Sequence, residues 1–376
     1  MDRLLTYLTG FDEEPGYLDV AAFGPLSAPV LAEWDAHRDL LARGRYGALG
    51  RLTENVDRMR AAAATLTGFR DDQIVFQPGA VEGLTQAVFG VTGGILVSPG
   101  EHPGLAAAAV RASEALKATA PIWLDTDHGR VTPGQIKEQL TSTTTAVAVS
   151  LVDPRTGYLA DLEGIRQVIG DRLLLVDATY GLGAVDAPVA QADVLACGGH
   201  TWLRAGYGCG FLAVSDRAGA KLTPVLSGPP GFAGGETVWD QVPDPADGAA
   251  GLQLGDPDPV AAAQLAAAIE DLNRAGVPAV ADRLRSVVTE VIALADEYAV
   301  PVVSPRNVTE RAGIVVLDPS EDQLTALTAA LFNHGVSATV QAGRVRLSAS
   351  AGTTSDTLEL LRASLLSFAM AARTVH

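Results

Sequence analysis

Short apolar runs that end in a carboxylate or a glycine-rich turn recur along this chain, with helix-like stretches between them. Leu173-Leu174-Leu175-Val176-Asp177 is the clearest, with no polar side chain before its last residue. Similar runs lie at 73–76, 94–98, 121–124, 146–152, 193–197 and 211–215. Runs this short, without polar alternation, suit strands covered on both faces, the condition of a parallel sheet packed between helices. Residues 46–70, a segment starting near Val81, and 103–118, 133–140 and 160–169 read as those helices. The pattern predicts an α/β protein: a short segment over 1–14, then a large domain over 15–255 with a mainly parallel seven-stranded sheet.

Residues 226–257 are rich in Gly, Pro and Asp. They read either as a surface linker or as a long ordered loop that shapes a site. Beyond them, helices are predicted at 258–275, 278–299, 320–334 and 355–373. Strands are predicted at 300–303, 313–317 and 338–347. This tail, 256–376, reads as a small α+β domain.

Charge restricts the partners. With 27 Lys+Arg against 44 Asp+Glu, the formal net charge is -17. Such a surface repels nucleic-acid phosphates and anionic lipid, so neither is an expected partner. No apolar run reaches the roughly 18 residues of a membrane span. The first residues turn acidic too early for a secretory signal. Cys197 and Cys209 are too few for a disulfide framework, and a reduced, cytoplasmic protein is expected. The histidines show no metal-ligand spacing, and no metal is expected. Walker, G-x-G-x-x-G and G-x-S-x-G motifs are absent.

Strand ends carry the polar residues that remain. In open parallel sheets, ligands bind beyond the carboxyl ends of the strands. Asp177, His200, the turn Gln77-Pro78-Gly79-Ala80-Val81 and the segment Val97-Ser98-Pro99-Gly100-Glu101-His102 are expected to converge there. Considered alone, Asp177 reads equally as a cap for the next turn, and His102 as a helix-start residue. Arg346, between Val345 and Leu347, places its fork on the polar face of a strand and suits a carboxylate. Cys197 reads as core and Trp202 as packing; whether Cys209 is reactive is not legible from sequence.

In this order the residues resemble the class V aminotransferase family, fold type I enzymes that use pyridoxal phosphate (PLP) and include cysteine desulfurases and C–S lyases. Tyr17-Leu18-Asp19-Val20-Ala21-Ala22 resembles the family's N-terminal segment. The resemblance implies that Gly79, Ala80 and Val81 receive a phosphate and that His102 stacks on the cofactor ring. It also implies that Asp177 pairs with the pyridinium nitrogen and Arg346 with the substrate carboxylate. It further implies a homodimer, with Thr237 or Trp239 entering the neighbour's site.

One departure dominates. The motif match puts Thr201 of His200-Thr201-Trp202-Leu203-Arg204 where relatives carry the lysine that bonds PLP, and a hydroxyl forms no imine. The sequence has three lysines, Lys117, Lys137 and Lys221, none near that motif. Val81 and Gly198 stand where relatives offer phosphate-binding hydroxyls, Tyr180 where Gln or His is common, and no Asn occurs near Arg155. Asp177 is left to find backbone N–H groups or a cation such as Arg155 or Arg204.

Three functions follow from this reading. The first is a repurposed lyase or transferase for a small amino-acid-like carboxylate, without lysine-bound PLP. Its catalytic set would be His200, His102, Asp177, Tyr180 and Thr201, and its substrate-binding set Arg346, Arg155 and Arg204. The second keeps PLP non-covalently at Gly79, Ala80, Val81, His102, Asp177, His200 and Thr237. The third is a non-catalytic subunit that supports a lysine-bearing paralogue.

Overall fold

The computed structural model of the protein describes residues 3–44, 46–234 and 239–374. Helices α1 (Arg3–Leu8), α2 (Ala28–Arg43) and α3 (Ala48–Thr67) open the chain. Strand β1 (Ile74–Gln77), α4 (Ala80–Phe89), β2 (Gly93–Val97), α5 (Pro103–Leu116), β3 (Thr119–Trp123), α6 (Pro133–Gln139), β4 (Thr144–Ser150), α7 (Leu162–Ile169) and β5 (Leu173–Asp177) then alternate. Strands β6 (Val194–Gly198) and β7 (Gly210–Val214) complete the sheet of the large unit, followed by the short α8 (Asp216–Gly219). Then come α9 (Pro259–Ala275), α10 (Val277–Glu297), β8 (Ile314–Leu317), α11 (Glu321–Asn333), β9 (Thr339–Gln341), β10 (Arg344–Ser348) and α12 (Ser355–Thr374).

Among the described residues seven strands form one sheet in the order β1-β7-β6-β5-β4-β2-β3, with only β7 antiparallel to its neighbours. Alternation along β5 shows how the layers are built: Leu174 and Val176 join one core cluster, and Leu173 and Leu175 the other. Each cluster is roofed by helices, so the sheet is buried on both faces.

Helix starts follow the local sequence. Pro103 and Pro259 occupy first-turn positions where a missing N–H costs nothing. Asp258 accepts from the N–H groups of Val260 and Ala261, and Asp161 from that of Gly164.

The small unit differs from expectation in two places. Residues 300–303 form no strand; only Val302 bridges to Leu317. The single strand expected at 338–347 is a hairpin, β9 and β10, folded at Ala342-Gly343, both with positive φ (50° and 79°). That pair of conformations matches the twist of a tight two-residue hairpin, and Gly adopts it readily. In the large unit, α2 is a helix beyond those expected, and the helix expected over 46–70 is the shorter α3. The 226–257 segment is a folded loop over its described residues, with Phe232 bridged to Pro245.

Residues 16–24 link the two units. Tyr17 and Asp19 bridge to Ser337 and Ser348 of the small unit, and the Gly24 N–H donates to the His200 carbonyl. Gly24 crosses so close to the loop after β6 that a Cβ would lie 2.1 Å from the Thr201 carbonyl oxygen. Among the described residues no helix is long and apolar enough to cross a membrane.

Candidate active site

The segments after the carboxyl ends of β2, β4 and β5 face the hairpin β9–β10 across a cleft of about 430 Å³, which neither the turn after β1 nor His200 after β6 lines. His102, Arg155 and Tyr180 line it from the large unit, and Arg344 and Arg346 from the small one, with Glu101 beneath. That volume suits a small molecule.

Asp177, 2% exposed, lies at the end of β5. Its Oδ1 accepts from the N–H and the hydroxyl of Thr179 (3.0 and 2.6 Å), so it does cap the following turn. Its Oδ2 lies 4.0 Å from Nδ1 of His102. No arginine pairs with it among the described residues; neither Arg155 nor Arg204 supplies the cation. His102 begins α5, its Nδ1 accepting from the Gly104 N–H at 3.3 Å, while its ring tilts toward Tyr180 at 6.0 Å.

His200 follows β6 and stacks on Tyr207, ring centroids 5.0 Å apart. Tyr207 in turn stacks on Phe23 and donates to the Ala22 carbonyl, so the residue 16–24 link also orients the imidazole. Burial pushes the His200 pKa down, and the opposing pull of Asp177 is smaller. The neutral ring can therefore accept a proton at neutral pH. A Cβ at Gly198 would lie 3.1 Å from His200 Nδ1 and 3.7 Å from the Ala80 N. The imidazole thus takes the room that a hydroxymethyl at 198 would need, beside the N-terminus of α4. Val81 lies against Gly104 across that helix start.

Thr201 is fully buried, and its hydroxyl donates to the Thr179 carbonyl at 2.5 Å. Tyr180 is held above its ordinary pKa by burial, with the Arg346 guanidinium pulling the other way. Arg346 donates through Nη2 to Thr339 at 3.1 Å and lies 3.9 Å from Asp19. Its Nε is buried without a hydrogen-bond partner among the described residues.

Arg204 does not serve the cleft. It is 3% exposed, its guanidinium 3.4 Å from the Phe11 ring centroid, its Nη2 2.5 Å from Glu13 and its Nε donating to the Pro25 carbonyl. A positive φ of 57° turns it toward the N-terminal segment, which the sequence around it does not reveal. Thr237 lies outside the described residues, and Trp239 is 90% exposed. Two cleft residues escape the sequence reading. Arg344 is hidden when 338–347 is read as one strand. Glu101 reads only as the neighbour of His102, and no local signal marks it: its Oε2 turns inward to accept from the Ser150 N–H at 2.9 Å, a donor that the fold brings to it.

Burial raises the thiol pKa at Cys197 well above its ordinary value and that at Cys209 to about 12, so neither is a nucleophile at neutral pH. Among the described residues no group of His, Cys, Asp and Glu is arranged to hold a metal. The cleft also fails a test for lysine-anchored PLP. Lys117 ends α5, Lys137 lies on α6, and Lys221 donates to the Asp171 carbonyl. Lys117 and Asp171 just precede β3 and β5, at the strand ends opposite the cleft, so no amine is at hand for an imine.

Known proteins agree with this architecture. A "Probable cysteine desulfurase" of Methanothermobacter thermautotrophicus is 28% identical over 279 residues, 69% of this chain and 67% of that one. A "Putative cysteine desulfurase IscS 1" of Bacillus subtilis is 29% identical over 233 residues, 56% of this chain and 59% of its own. Among solved structures, the apo cysteine desulfurase of Thermococcus onnurineus NA1 superposes with a TM-score of 0.82 at 21% identity, covering 93% of each chain. Cysteine desulfurase CsdA of Escherichia coli gives 0.83 at 18% identity, covering 98% of each. The Aminotransferase class-V family profile matches residues 16–374, and the chain belongs to that family.

Proposed function

We propose that this chain is a class V-fold lyase or transferase for a small amino-acid-like carboxylate, working without lysine-bound PLP. One observation carries the reading: the cleft offers guanidiniums and proton-handling groups but no lysine amine. On the motif match, Thr201 stands where relatives carry that lysine. Arg346, with donors unused at its fork, grips the substrate carboxylate. Neutral His200 takes up a proton, and Tyr180 and His102, with Asp177 behind it, position and polarise the substrate. A cytoplasmic setting accords with the two unreactive thiols.

Holding PLP non-covalently would need a phosphate cup, and here Val81 and Gly198 supply no side-chain hydroxyls. Each hydrogen bond lost to a charged phosphate is worth about 1.5–3 kcal/mol, so two weaken affinity by roughly two to four orders of magnitude. The purified protein is therefore expected to be colourless. Thr201→Lys is expected not to restore tight PLP binding, and His200→Ala or Arg346→Ala to abolish turnover with the fold intact. Visible absorbance of the wild type and of Thr201→Lys after addition of PLP is the check.

A yellow protein as isolated, or a tight complex in Thr201→Lys, would favour a second reading in which PLP is retained. Two observations favour that alternative. The curated relatives are described as cysteine desulfurases, and a structural neighbour (TM-score 0.80, 18% identity) is a C-DES mutant "with GLY Covalenty Linked to the PLP-cofactor".

We further propose a homodimer, with Trp239 reaching toward the neighbouring cleft. Light scattering that reports a stable monomer at micromolar concentration sinks that part.

A further inference from the structure

The cleft holds more positive charge than one carboxylate requires. Arg344 and Arg346 sit two residues apart on β10 and so share one face of the hairpin. Arg155 faces them from the turn after β4. Its guanidinium is seated in a slot between two glycines: a Cβ at Gly100 would lie 2.5 Å from both terminal nitrogens, and one at Gly129 2.9 Å from Nη2. Neither residue carries the side chain that would displace the fork.

Each arginine has one acid neighbour, Asp19 in the case of Arg346. Asp153 takes Nη2 of Arg155 at 3.0 Å, and Asp318 takes Nε of Arg344 at 2.9 Å. A guanidinium has five N–H donors, so each fork keeps donors beyond its acid partner. Glu101 lines the same cleft, and burial raises its carboxyl to about 8, which favours the uncharged form at neutral pH. Three arginines thus surround one cleft, each with an acid neighbour (Asp153, Asp318 and Asp19) and each with guanidinium donors left over.

We infer that the substrate is a diacid: an amino acid whose side chain ends in a second anionic group, with its α-carboxylate at Arg346 and the second group at Arg155 and Arg344. This rests on the proposed function, because it takes Arg346 as the carboxylate site. Cleft volume limits the ligand to a small molecule, and the placement of arginines on both units means that a diacid bridges them.

Calorimetric titration of the full-length protein with matched pairs is the test: L-glutamate against L-glutamine, and S-carboxymethyl-L-cysteine against S-methyl-L-cysteine. The diacid of each pair is expected to bind at least about tenfold more tightly, the effect of one added charge-assisted contact. Arg155→Gln and, separately, Arg344→Gln are expected to lower the ratio of the two constants toward one, whereas Arg346→Gln weakens both members of a pair. If both members bind the wild type equally and Arg346→Gln removes that binding, this inference is overturned and the proposed function stands. If no member of either pair binds, both fall. Should either Arg155→Gln or Arg344→Gln fail to fold, the other variant and the wild-type ratio still decide.

Discussion

Glu101→Gln is expected to stabilise the protein at pH 9 by roughly 3–5 kcal/mol and to leave it unchanged at pH 4. Burial lifts the Glu101 carboxyl from its ordinary 4.5 to about 8; the hydrogen bond from Ser150 opposes this, and Asp153 and Asp177 add to it. Between those two values the native protein keeps a proton that the unfolded chain has released. Stability therefore falls as pH rises through that window, and the full penalty is present above about 8. Glutamine imitates the protonated acid and still accepts from the Ser150 N–H, so it removes the penalty while keeping the contact. Urea unfolding of both proteins from pH 4 to 9 is the measurement. Parallel stability curves would show that Glu101 is ionised in the native state at neutral pH.

Asp193→Ala is expected to cost about 3–5 kcal/mol at neutral pH, seen as a lower urea midpoint at unchanged slope. Asp193 is 4% exposed and immediately precedes β6, at the strand ends opposite the cleft. Its Oδ2 accepts from Arg166 at 2.6 Å, Arg217 at 2.5 Å and the Leu174 N–H at 2.8 Å, and its Oδ1 from Arg217 Nε at 2.7 Å. Removing it strands a half-buried guanidinium and a buried backbone donor of β5. Asp193→Asn, which keeps an acceptor, should cost less. A loss below about 1 kcal/mol in Asp193→Ala would class the cluster with ordinary surface ion pairs.

Strand ends are legible in the sequence because a buried parallel strand writes itself as a short apolar run, and the residue that stops the run faces the ligand side. Asp177 and the turn after Gln77 are found that way. Side-chain direction is not legible. Arg155 and Arg204 each follow a strand-end turn, yet one enters the cleft and the other packs on Phe11 and Glu13, far away in the chain. The hairpin at Ala342-Gly343 does leave a trace: polar residues fall at 339 and 341 and then at 344 and 346, a shift of phase that reading 338–347 as one strand passes over. Residue identity at 201 comes from the motif, but its hydroxyl's choice of the Thr179 carbonyl is set by the fold around it.

The residue 16–24 link has a consequence for how the chain assembles. Tyr17 pairs with Ser337 and Asp19 with Ser348, contacts that join residues more than 300 positions apart. A nascent chain makes its first segment early and must leave it unpartnered until the last strand has been synthesised. Contacts of such sequence separation form late, because their loop-closure entropy is offset only once the intervening elements have folded. The same segment carries the Phe23–Tyr207–His200 stack. Alignment of the imidazole thus depends on a late contact, and the cleft becomes competent only when residues 16–24 have met β10.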